Sequence, residues 1–192
     1  MTSLPPPEAI IRPATGDDLT AVAAIYARHV RDGTASFELE PPSEGEMRRR
    51  HADLLARGYP YLVAEAGGKV LGYAYAGPYR LRPAYRDTVE NSVYLRSDAA
   101  GRGLGTRLLE ALIAACAARG FRQMVAVVGD SANLASIRLH ERAGFRSVGV
   151  LCSVGFKHGR WLDTVLLQRA LGAGDAAPPD RPPDGAPSRS AG

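Results

Sequence analysis

Residues 88–119 read TVENSVYLRSDAAGRGLGTRLLEALIAACAAR, and how this stretch folds decides the rest. Thr88 to Leu95 is a strand-like run, Gly101, Gly103 and Gly105 mark a turn, and apolar residues recur at helical spacing from Leu104 onward. A strand that turns through glycines into a helix aims a row of free backbone N–H groups at one point. The first four amides of a helix have no intrahelical partner, and its dipole adds roughly half a positive charge there. Glycines let an anion approach without meeting a Cβ, and Arg102 and Arg107 add formal charge. The pattern predicts an anion site at the head of this helix. Taken alone, Gly-x-Gly-x-Gly also serves plain turn geometry, so the flanking chain must decide.

Upstream, Ala9 to Arg12 is a short strand candidate limited by Pro13. Leu19, Val22, Ile25, Tyr26 and Val30 predict a first helix from about Asp17 to Arg31. After a loop containing Phe37, which reads as a core plug or a pocket wall, Ser43-Glu-Gly-Glu46 fits a capping box opening a second helix to Ala56. Tyr61 to Glu65 and Val70 to Ala76, separated by Ala-Gly-Gly-Lys, predict a hairpin.

Downstream, Gln123 to Val128 is a nearly all-apolar strand. Ala132 to Ala143 predicts a helix with Leu134, Ile137 and Leu139 toward the core, stopped by Gly144. Phe145 to Cys152 and Phe156 to Gln168 are two further strand candidates, the second carrying Lys157-His-Gly-Arg-Trp161. The order is strand, two helices, three strands, helix, strand, helix, two strands, which predicts a mixed α/β sheet of about seven strands. Residues 1–8 read as a disordered leader, 9–171 as one domain, and the Pro/Gly/Ala-rich residues 172–192 as a disordered tail.

The 192 residues, 45% hydrophobic, suffice for one substantial core. The net charge is +4, but acids and arginines are interspersed, and Arg48-Arg49-Arg50 reads as a solvated helix face. No nucleic-acid partner is expected. Cys116 and Cys152 lack metal-ligand spacing and read as buried free thiols, so no metal is expected. No apolar run approaches the roughly 20 residues of a membrane span, and the N-terminus has no signal-peptide regions. The expectation is a soluble cytoplasmic protein without a membrane partner.

Three segments together resemble the acetyl-CoA-dependent N-acetyltransferases of the GNAT superfamily: the helix pair after the first strand, Gly101-Arg-Gly-Leu-Gly105, and Asn133-Leu-Ala-Ser-Ile-Arg-Leu-His-Glu-Arg-Ala-Gly-Phe145. Within it, Tyr75-Ala-Gly-Pro78, Thr88 to Leu95, Ser136 to Glu141 and Gly155 to Asp163 are similar to the phosphinothricin and methionine sulfoximine acetyltransferase group. The resemblance spans about Ile10 to Leu171. It implies a GNAT fold with four helices, a sheet bulged and splayed where acetyl-CoA enters, and a homodimer paired through strands near the C-terminus. One departure stands at Ala100, where the superfamily loop carries Gln or Arg; coenzyme binding should be weakened rather than abolished, because backbone amides make much of that contact.

Amine acetylation needs a neutral amine, a stabilised oxyanion and a proton for the departing thiolate. Glu90, a carboxylate in an otherwise apolar strand, is the candidate general base, unless it only pairs with Arg80 or Arg86. The resemblance implies coenzyme contacts at Val93, Tyr94, Leu95, Gly101, Arg102, Gly103, Leu104, Gly105, Thr106 and Asn133, with His140 assisting catalysis by protonating the thiolate. It implies substrate contacts at Arg80, Leu81, Arg82, Tyr85, Glu90, Asn91 and Ser92, with Lys157 and His158 on the far wall. The arginines suit the carboxylate of an amino-acid-like small-molecule amine. Another small amine, a protein N-terminus, or a non-catalytic acetyl-CoA sensor remain open. A dinucleotide site fits poorly, because Gly-x-Gly-x-Gly is not Gly-x-Gly-x-x-Gly.

Overall fold

The computed structural model describes residues 8–179. The expected leader, apart from Glu8, and the expected tail beyond Pro179 lie outside the described residues. Within the described part of that tail, Gly174 N–H bonds Leu171 O at 2.9 Å and the Arg122 guanidinium donates to Pro178 O at 2.8 Å.

Seven strands form one sheet: β1 (Ile10–Pro13), β2 (Tyr61–Ala66), β3 (Lys69–Pro78), β4 (Thr88–Leu95), β5 (Gln123–Gly129), β6 (Arg146–Lys157) and β7 (Arg160–Ala170). Their spatial order is β1-β2-β3-β4-β5-β7-β6, and only β4 and β5 run parallel. Four helices flank it: α1 (Leu19–Asp32), α2 (Glu44–Ala56), α3 (Leu104–Ala118) and α4 (Leu134–Arg142). This is the mixed sheet with four helices that the resemblance implied.

Period-two strands meet period-3.6 helices on both faces. Leu62, Ala64, Ala74, Ala76, Val89, Met124, Ala126 and Leu167 pack with Leu104, Leu108, Leu109, Leu112 and Cys116 of α3. On the opposite face Tyr61, Val63 and Tyr73 pack with Leu19, Val22, Ile25, Tyr26 and Val30 of α1 and Met47 of α2. Successive residues of β4 therefore look into different chemistry, Val89 and Asn91 toward α3 and α4, Glu90 and Ser92 toward α1 and α2.

Several local expectations change. The Ser43 hydroxyl does cap α2 by accepting Glu46 N–H at 3.1 Å, but the Glu46 carboxylate is drawn to Arg49 and Arg50 instead of back to the cap. Leu134, expected in the core, is exposed because α4 turns its Ile137 and Leu139 side inward. Lys157-His-Gly-Arg160 is not strand interior. His158 and Gly159 both have positive φ (51° and 74°), the conformation of a two-residue hairpin turn, so β6 runs on to Lys157 before the chain reverses. Cys116 is buried as expected, but Cys152 is exposed on β6.

Asp18 staples the start of α1 to the sheet edge. Its carboxylate accepts Arg12 at 2.7 and 2.8 Å and Thr15 N–H at 2.7 Å, while Arg12 also holds Glu65. Those donors, Arg12 foremost, push the Asp18 carboxyl down to about 2. A depressed folded-state pKa stabilises above the unfolded value and is lost as pH falls through the folded one. Asp18→Asn should therefore cost about 2 kcal/mol at pH 7 by denaturant unfolding, and the gap from wild type should close between about pH 4 and pH 2. A gap independent of pH would refute the assignment.

Candidate active site

The sheet opens at its centre. β4 pairs with β5 only from Thr88–Gln123 to Asn91–Ala126, whereas β3 follows β4 all the way to Leu95 and β7 follows β5 to Gly129. The splay is as expected, but β4 carries no bulge there, since its register with β3 is unbroken. Arg96 N–H bonds Leu71 O at 2.8 Å, and Tyr79 N–H approaches Thr88 O at 3.4 Å. The even-numbered residues of β4 therefore turn their backbone groups to β3, and the odd-numbered ones turn theirs away. Past Asn91 this leaves Val93 and Leu95 facing the gap. Leu95 O accepts His29 Nε2–H at 2.8 Å, and the N–H groups of Val93 and Leu95 point to where β5 would have continued.

The gap is a cleft of about 50 Å³ lined in part by Ser92, Val93, Tyr94, Asn133, Ser136 and His140. Asn133 caps α4 by accepting Ser136 N–H at 3.2 Å, which leaves its amide nitrogen to donate. His140 is buried, with Nδ1 2.8 Å from Ser136 O and Nε2 2.9 Å from the Asn91 Oδ1; burial pulls its pKa below the usual histidine value. The side chain of Asn91, expected on the substrate side, is thus directed at α4. The Tyr94 ring lies on the α1 side, 5.1 Å from Tyr26 and 5.3 Å from Tyr73.

Beside the cleft stands the head of α3. Gly103 occupies the cap position at φ 73° and Gly101 sits at φ 75°, a conformation that disfavours residues with a Cβ. The first helical bond runs from Arg107 N–H to Gly103 O, so the amides of Leu104, Gly105 and Thr106 have no intrahelical partner. Leu104 itself anchors the turn in the core, and Arg102 is exposed. Arg107 is occupied elsewhere: its guanidinium donates to Ala9 O at 2.7 Å.

Across the strand lies a second cavity of about 360 Å³, walled by Tyr26, Tyr61, Tyr73 and Tyr75, with Glu90 and Ser92 from β4, Arg49 and Arg50 from α2, and Arg57 just past its end. Ser92 lines both cavities. Burial raises the Glu90 pKa above the ordinary carboxylate value and the nearby Arg80 guanidinium pulls it partly back. Arg86, the other partner considered for Glu90, lies 3.4 Å from Asp87. Arg80 sits over the Tyr79 ring at 5.2 Å. Arg80, Leu81, Arg82 and Tyr85 are exposed at and around the turn Pro83–Tyr85, and none of them belongs to the cavity wall. Arg49 and Arg50 of α2, read from sequence as part of a solvated face, and Arg57 just past its end were missed. Their signal was a repeated cation at positions 49, 50 and 57, but helical spacing does not reveal that this side overlooks Glu90.

The loop between α1 and α2 reaches the cleft, which Ala35 helps to line. Phe37 is pressed against Gly129 and Gly155, where an added Cβ would meet its ring at 2.9 and 2.3 Å. Lys157, buried, donates to Ser36 O at 2.7 Å, and Thr34 donates to Asp130 at 3.0 Å, which also pairs with Arg160. His158 reaches Gly33 O at 3.3 Å. Lys157 and His158 thus hold the loop rather than form a pocket wall. Among the described residues no group of three or more His, Cys, Asp or Glu could hold a metal ion.

Comparison with known proteins agrees with this geometry. The pattern of the acetyltransferase (GNAT) family matches residues 23–145. The phosphinothricin N-acetyltransferase of Alcaligenes faecalis is 58% identical over 170 residues, covering 88% of this chain and 86% of its own. The L-methionine sulfoximine/L-methionine sulfone acetyltransferase of Pseudomonas aeruginosa is 46% identical over 172 residues, covering 88% and 99%. Among solved structures, the phosphinothricin acetyltransferase of Sinorhizobium meliloti in complex with acetyl-CoA superposes with a TM-score of 0.88 at 46% identity, covering 91% and 95%.

Proposed function

The chain belongs to the acetyltransferase (GNAT) family, and from that premise we propose that it moves an acetyl group from acetyl-CoA to the α-amino group of a small amino-acid-like acceptor: phosphinothricin, methionine sulfoximine or methionine sulfone. The observation that carries this reading is that Ser92 lines both cavities, so that a thioester in the β4/β5 fork and an amine beside Glu90 meet across one strand.

The amides of Leu104, Gly105 and Thr106 would take the pyrophosphate, and Asn133 with the open edge of β4 would take the pantetheine arm. Ala100 removes one side-chain contact and none of these amides. The α-ammonium, with a pKa of about 8, gives a proton to the Glu90 carboxylate. The amine then attacks the thioester carbon, and the oxyanion lies against the N–H groups of Val93 and Leu95. Collapse breaks the C–S bond, and the proton shed by nitrogen matches the one the thiolate takes up. The cavity, about 360 Å³ and carrying arginines, suits a small acid better than a protein N-terminus. Arg80 and the α2 arginines would face the acceptor's carboxylate and its phosphinate or sulfoximine group.

Two features beyond the site complete the reading. β6 is an edge strand of 12 residues with Val148, Val150, Leu151, Val154 and Phe156 exposed, and Trp161 beside it is 63% exposed. Such an edge invites pairing, and a second copy of the chain is the proposed partner. No helix among the described residues is long and apolar enough to cross a membrane. We take the enzyme to be cytoplasmic, with no nucleic-acid or membrane partner.

Thiol release from acetyl-CoA should be seen with phosphinothricin, methionine sulfoximine or methionine sulfone and not with polyamines or peptides. Glu90→Gln should lower kcat by about 10²–10⁴-fold with little change in acetyl-CoA affinity. Acetyl-CoA binding without turnover on any acceptor would favour a sensor, and an unaltered kcat would remove Glu90 as the base. In sedimentation the protein should run as a dimer and Val150→Arg as a monomer; a monomeric wild type at tens of micromolar would exclude the β6 interface.

A further inference from the structure

Both nitrogens of the His140 ring face protein acceptors, Ser136 O and Asn91 Oδ1, and a ring with one proton can donate to only one of them at a time. Val125 O can only accept, so the Asn91 amide nitrogen 3.2 Å away must donate to it, which turns Asn91 Oδ1 toward the histidine. At 2.9 Å that oxygen accepts the ring proton when it is carried on Nε2. Nδ1 lies 2.8 Å from Ser136 O, one helical turn back. Phe145 presents its ring edge-on at 5.1 Å and closes another side. Handing the Nε2 proton to a thiolate would leave Asn91 Oδ1 buried without a donor, a loss of about 1–3 kcal/mol. Burial favours the neutral ring, whose one proton is already claimed by these two oxygens, which leaves none spare for a thiolate.

The position of the pair matters as much as its bonds. Asn91 is the last β4 residue paired with β5, and His140 lies near the end of α4, two turns from Asn133. The contact ties α4 to β4 at the point where the strands part. We propose that His140 and Asn91 form a strut across the head of the fork, and that His140 is a positioning residue for the thioester rather than the acid that protonates the leaving thiolate. The strut fixes the distance between the Asn133 amide on α4 and the backbone groups of Val93 and Leu95 on β4. It rests on the reading of the fork as the acetyl-CoA site.

Substitutions of different reach separate the two roles. His140→Gln places an amide nitrogen where Nε2 stands and keeps the bond to Asn91 without being able to titrate. His140→Asn is too short to reach, and Asn91→Ala removes the other end. The glutamine variant should rescue, with kcat within about threefold of wild type and the same pH profile. The other two should raise the acetyl-CoA KM about tenfold or more, leave the acceptor KM within about twofold, and keep the wild-type circular dichroism. A hundredfold fall in kcat for His140→Gln, with a limb of the pH profile lost and acetyl-CoA affinity intact, would overturn the strut in favour of an acid. Lowered thermal stability with an unchanged acetyl-CoA KM in the short variants would overturn it in favour of plain packing. Calorimetric titration with acetyl-CoA alone reads the strut without an acceptor. A wild-type protein inactive on every acceptor would therefore count against the proposed function, while the binding data still decide on the strut.

Discussion

The structure depends on a ladder that stops. β4 and β5 are parallel neighbours for four residues and then part, while the strand on the far side of each continues. A sheet normally satisfies every backbone N–H and C=O it buries, and an interior edge left unpaired is costly unless something else supplies partners. Here β3 holds one lip and β7 the other, so the gap cannot close by relaxation of either strand. A long, polar, extended ligand arm is the natural occupant of such an edge. The helix head beside it presents the free amides of Leu104, Gly105 and Thr106, and the proposed function makes a binding site of this break in secondary structure.

The chemistry follows from strand alternation at the same place. Because neighbouring residues of β4 face opposite sides of the sheet, Glu90 is placed among tyrosines and arginines while Asn91 reaches α4. Burial of Glu90 raises its pKa above the ordinary carboxylate value, the direction that the proposed role as base calls for, and Arg80 limits the rise. The loop between α1 and α2 is then held beside the cleft, with Ala35 in its lining. Phe37 against Gly129 and Gly155, Lys157 on Ser36 and Thr34 on Asp130 do this from β5, β6 and the residue after β5.

Much of this was legible in the sequence, and the exceptions have physical reasons. The strand, glycine turn and helix from Thr88 onward and the α3 amides are encoded locally, by period and by residues that tolerate positive φ. The face on which Asn91 sits depends on which helices cover the sheet, a long-range fact. The reach of Arg49, Arg50 and Arg57 depends on how α2 crosses β3 and β4, which a charge pattern on one helix does not contain. The turn at His158 and Gly159 was hidden because histidine is an unusual occupant of positive φ. That both His140 nitrogens face protein oxygens appears only when Asn91, 49 residues away, is brought against the ring.

The central claim is that the open edge of β4 binds the thioester arm, and amide chemical shifts report on it directly. In ¹H–¹⁵N spectra recorded during titration with acetyl-CoA, the N–H resonances of Val93 and Leu95 should move downfield together with those of Leu104, Gly105 and Thr106, while Glu90 and Ser92, bonded to β3, should move little. Shifts confined to the α3 amides, with Val93 and Leu95 unchanged at saturation, would contradict the account.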